Sequence, residues 1–144
     1  MSPRSWIPTV LRARQAQEDL VAQQVAVARR DAGQAADEHA EHAARVAGMA
    51  SPRSQSVPAF HASLAAHQAA AATLAAARNR VLFAEGRVSS ALVELTTAAR
   101  SRRTVEKLQE RDQAEQVSTA SSLAQREMDE VSISRHGARL RRTS

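Results

Sequence analysis

Three observations on this 144-residue sequence predict an all-α fold, an antiparallel two-helix coiled-coil hairpin with an extended C-terminal helix. Alanine, arginine, glutamate and glutamine dominate the composition, and their side chains lose little freedom in a helix. The aromatics are Trp6, Phe60 and Phe83 alone, and with only four glycines and no β-branched run of strand length neither a thick core nor a sheet is expected. One internal breaker, "ASPRSQSVPA" (residues 50–59), divides the chain, because its two prolines each remove a backbone donor and clash with the preceding turn.

The first helix is predicted over about residues 9–49, with Pro8 and Thr9 at its start and Gly48 at its end. Its seam combines Ile7, Arg14, Val21, Ala28, Ala35, His42 and Met49 with Leu11, Glu18, Val25, Ala32, His39 and Val46. After the turn at 50–59, a second helix over about 60–136 carries Phe60, Leu64, His67, Ala71, Leu74, Arg78, Val81, Glu85, Val88, Leu92, Leu95 and Ala99. Antiparallel pairing then sets Met49 near Phe60, His42 near His67, Val21 near Val88 and Ile7 beside Arg102. Helices of about 60 Å and about 115 Å follow from a rise of ~1.5 Å per residue, so residues 103–142 overhang. Val105, Leu108, Val117, Leu123, Met128, Val131 and Ile133 are the apolar positions of that overhang. Gly137 marks a frayed basic tail at 137–144, and the whole chain, 1–144, reads as a single coiled-coil domain.

Composition also excludes function classes. Without cysteine there is no disulfide, thiolate metal site or cysteine nucleophile. The longest apolar stretch, residues 69–77, is mostly alanine and too short to span a bilayer, and the N-terminus has no apolar signal core, so a cytoplasmic location is predicted. His39, His42, His61 and His67 could gather at the hairpin tip, but their spacing is not that of a zinc hydrolase and they read as seam or surface residues. The glycines are isolated, the carboxylate pairs Asp37 with Glu38 and Asp129 with Glu130 are exposed neighbours, and a two-helix rod offers no pocket. No enzyme, metal or cofactor is predicted. The net charge of +5 resides wholly after residue 50, and nineteen of the twenty basic residues are arginine. Glu106 and Glu110 interrupt the basic series Arg102, Arg103, Lys107 and Arg111, a pattern that suits a solvated or protein-binding face better than nucleic acid.

Three stretches carry a family resemblance: "VLRARQAQEDLVAQQVAVARRD" (10–31), "PAFHASLAAHQAA" (58–70), and "SRRTVEKLQERDQAEQ" followed by "LAQREMDEVSISRH" (101–136). In order and spacing they resemble the FliJ family of flagellar type III export proteins. The resemblance implies a non-enzymatic stalk similar to the γ subunit of rotary ATPases, an architecture that injectisome stalk proteins share. Its implied partners are the hexameric export ATPase FliI, the export gate protein FlhA and export chaperones. It implies a monomer when free, held peripherally at the cytoplasmic face of the inner membrane at the flagellar basal body. On this sequence the gate-binding tip would comprise Phe60, Leu64, His67 and Ala71 with His42 and Val46, and this chain lacks the tyrosines often found on the first-helix half. The ATPase-binding part would comprise Arg103, Lys107, Leu108, Arg111, Met128, Asp129 and Glu130. A different class of function, a generic coiled-coil adaptor or oligomerisation module bundling through the overhang, fits the same periodicity.

Overall fold

A computed structural model describes residues 4–51 and 56–142, the side chains of 138–142 excepted. It is all-α. Helix α1 spans Ile7–Ala47 and helix α2 spans Val57–Arg142, packed against each other as a hairpin. Pro8 falls in the first turn of α1, where its missing N–H would have had no partner. Gly48 follows the last residue of α1, its N–H donating to the Ala44 carbonyl at 3.0 Å. Ser56 caps α2: its Oγ accepts from the Ala59 N–H at 3.4 Å, and its carbonyl accepts from the Phe60 N–H at 3.1 Å.

Helix α2 thus begins three residues before the predicted start, because Pro58 lies in a first turn that tolerates proline. Of the predicted turn, 52–55 lie outside the described residues. The helix also continues through Gly137 to Arg142, where fraying was expected, since one helical glycine costs only about 1 kcal/mol. Thr143 and Ser144 lie outside the described residues.

Two compact units form, Gln15–Arg100 and Met1–Arg14 with Ser101–Ser144. In the first, the core is a seam of small residues, with Val25, Ala28, Ala77, Ala84 and Ala98 buried. On α1 every predicted seam residue from Glu18 to Met49 is buried or half-buried. On α2 half of the prediction holds: His67, Leu74, Val81, Val88 and Leu95 face inward. The other half of the stripe is Ser63, Ala70, Ala77, Ala84, Ala91 and Ala98, one residue before the predicted Leu64, Ala71, Arg78, Glu85, Leu92 and Ala99. Arg78, Glu85 and Leu92 are exposed. Small side chains there let two backbones approach closely, and tight packing compensates for lost bulk.

Two ion pairs set the register of this unit. Glu38 meets Arg80 and Asp31 meets Arg87, both at 3.7 Å, so a step of one heptad back along α1 is a step of one heptad forward along α2. The pairing is antiparallel as predicted, but displaced by about one heptad: Asp31 was expected opposite residue 78, not Arg87. The turns of α2 from Val57 to about residue 66 consequently run past the end of α1, and all of them except Ser63 are exposed.

The second unit has its own small core of Ile7, 2% exposed, and Val105, 8% exposed. Ile7 borders a cavity with Gln109, Asp112 and Gln116, again about one heptad beyond the predicted Arg102. Arg14, a predicted seam residue, is exposed. Arg4 fastens the start of the chain to α2 through Asp112 at 3.4 Å and Glu115 at 2.8 Å. Cover from the N-terminal segment therefore reaches to about residue 116, whereas the overhang was expected to start at Arg103.

Candidate partner-binding surfaces

At the tip of the first unit, Val57, Phe60 and Leu64 follow one another at three- and four-residue spacing along α2, exposed by 70%, 39% and 38%. Phe60 also stands edge-on to the His61 ring, with centroids 6.1 Å apart. The predicted tip group divides in two. Phe60 and Leu64 share this stripe and Ala71 is exposed, while His67, His42 and Val46 are half-buried on the seams. His67 Nδ1 donates to the Ser63 carbonyl at 2.8 Å, which fixes the ring along its own helix. Val57 completes the stripe and was absent from the predicted group, because it precedes Pro58 and was assigned to the turn.

In the second unit, Arg103, Lys107 and Arg111 recur at four-residue steps on one exposed face of α2, with Leu108 beside them, 40% exposed. None of these three cations has an ion-pair partner among the described residues, whereas Arg102, nearer the packed face, pairs with Glu106. These residues occupy the outer side of the stretch whose inner side buries Val105.

Beyond residue 116 every described residue up to His136 is exposed. Val117, Ala120, Ala124, Met128 and Val131 form one apolar stripe, and Leu123 and Ile133 continue the line of Val105 and Asp112. Met128, Asp129 and Glu130 are all exposed, but Glu130 lies on the Leu123 to Ile133 line and Met128 on the other stripe. The predicted Met-Asp-Glu group therefore wraps around the helix and presents no single face. Exposed stripes beside uncompensated charge suit docking to another macromolecule. Among the described residues no three His, Asp or Glu side chains come together as metal ligands, and no described helix is long and apolar enough to cross a membrane.

Comparison of the sequence with known families decides the lineage. A family described as "Flagellar FliJ protein" matches residues 7–141, nearly the whole hairpin. The chain belongs to the FliJ family. Nothing among curated proteins or solved structures matches it. As a FliJ-family member it is a component of flagellar protein export, and FliJ is not a known enzyme family.

Proposed function

We propose that this FliJ-family chain is the non-enzymatic central stalk of its export apparatus. It binds and promotes the FliI hexamer through the C-terminal part of α2, couples the ATPase to the gate protein FlhA through the tip stripe, and escorts export chaperones. It works without a bound cofactor, at the cytoplasmic face of the inner membrane. The observation that supports this reading is the bare stretch of α2 after residue 116, exposed at every described residue up to His136, with Arg4 reaching only its first turns beside Thr119, Ala120 and Leu123. A helix projecting into a ring has its apolar positions satisfied by the ring, and the charges of Arg103, Lys107, Arg111 and Asp129 align it more than they hold it.

The test is ATP hydrolysis by the cognate export ATPase with the full chain and with a version ending after Gln116, which keeps Val105 and the Arg4 contacts intact. Stimulation by the full chain alone supports the stalk. Hydrolysis indifferent to both would leave the adaptor reading in its place.

A further inference from the structure

Phe83 and Val93 stand on α2 within the Gln15–Arg100 unit, 71% and 67% exposed. Neither belongs to the seam with α1, whose nearby positions are Val81, Ala84, Val88, Ala91 and Leu95. Extended at alternating three- and four-residue steps, their face reads Asn79, Phe83, Gly86, Ser90, Val93, Thr97, a second heptad stripe with small residues at its centre. Every residue of it is exposed. Alongside lies a groove of about 740 Å³ that Gln24, Ala28, Phe83, Gly86, Ser90 and Glu94 help to line. A Cβ built on Gly86 meets nothing within 4 Å, so the approach to the helix backbone is open there.

We propose that this face docks a second copy of the chain, α2 against α2, antiparallel about a two-fold axis. Pairing the stripe with itself in that sense sets Phe83 opposite Val93 of the second copy, Gly86 opposite Ser90 and Asn79 opposite Thr97, each contact repeated across the axis. The bulky Phe83 meets the smaller Val93, and the two backbones cross where the side chains are smallest. Charge selects this occupant. In the same register Arg80 flanks Glu94 of the second copy, twice, and Glu94 has no ion-pair partner among the described residues of its own chain. Arg80 is 62% exposed and holds Glu38 at a loose 3.7 Å, which leaves its guanidinium able to span both carboxylates. Arg87, which meets its counterpart near the axis, already pairs with Asp31. A parallel arrangement of the same face would set Arg80 beside Ala75 and Glu94 beside Ser89 of the second copy, leaving Glu94 without an opposite charge. One helix face per copy is a small interface, below about 1,200 Å² in total, so the dimer is reversible and populated only at high concentration. There it replaces the free monomer that the family resemblance implied.

Sedimentation of the full chain from micromolar to millimolar concentration tests this. The mass should rise from one copy toward two, and Gly86→Leu should weaken association at least tenfold while leaving the helical circular dichroism intact, since Gly86 is exposed and a Cβ there meets nothing within 4 Å. Phe83→Glu and Glu94→Arg should each weaken it, and Arg80→Glu combined with Glu94→Arg should restore it by exchanging the two charges. A mass of one copy throughout overturns the proposal. So does a dimer that ignores Gly86→Leu but disappears when the chain ends after Gln116, which would move the contact to the C-terminal stretch. Stimulation of the export ATPase should survive Gly86→Leu. Its loss, with the unsubstituted chain monomeric, would assign the face to the ATPase and overturn the dimer.

Discussion

Val105 and Val117 occupy the same helix, twelve residues apart, and one is 8% exposed while the other is 70% exposed. Nothing in the local sequence distinguishes them, since both are β-branched residues flanked by polar ones in good helix-forming surroundings. The difference is cover. Val105 lies where the N-terminal residues are fastened through Arg4 to Asp112 and Glu115, and Val117 lies just past that fastening. The helix is continuous through both. Helicity and burial are thus separable along α2: one part is held by tertiary contact, the other by propensity and side-chain pairs such as Gln116 with Asp112.

The contrast is most strongly broken by placing a charge in a covered position. Ala84→Asp puts an unpaired carboxylate in the alanine seam and should cost about 3 kcal/mol or more, read as a lowered melting temperature by circular dichroism. Removing the cap with Ser56→Ala should cost roughly 1 kcal/mol, and chemical denaturation measures it. Gly86→Ala should act in the opposite direction, stabilising by about 0.5–1 kcal/mol in the same assay, because the helix gains a better former and the added methyl meets nothing within 4 Å. Arg4→Ala opens a solvent-screened pair, so global stability should change by roughly 0.5 kcal/mol, but amide exchange around Val105 should quicken. Val117→Asp should leave melting within about 0.5 kcal/mol of the parent. If Val117→Asp destabilised the chain as much as Ala84→Asp, the distinction between covered and bare helix would be wrong.

The α1 seam from Glu18 onward was legible in the sequence because Val21, Val25, Val46 and Met49 mark it with bulk at heptad spacing. On α2 the line of Leu74, Val81, Val88 and Leu95 was legible for the same reason, and its companion was not, since Ala70, Ala77, Ala84, Ala91 and Ala98 give no hydrophobic contrast in an alanine-rich chain. Leu64 and Leu92 attracted the assignment by size. The heptad displacement has a related cause: a repeat slid by one period meets itself again, and charges such as Asp31 with Arg87 and Arg4 with Asp112 break that degeneracy. Of the candidate surfaces, the outer basic line was readable from spacing alone. The Val57 end of the tip stripe depended on how early α2 starts, which the capping Ser56 decides.

The sequence separations of the cross-helix ion pairs grow steadily along the hairpin, from Glu38 with Arg80, through Asp31 with Arg87, to Arg4 with Asp112, 108 residues apart. Loop-closure entropy makes the nearest partners the cheapest to join first, so the hairpin should close from its turn like a zipper. On the ribosome the same geometry imposes a wait. α1 is made first, and its opening residues have no mate until residues 105–115 have left the exit tunnel. A nascent FliJ-family chain of this design therefore holds Ile7 in water while some hundred further residues are made, and the stretch translated after residue 116 has no such mate to wait for.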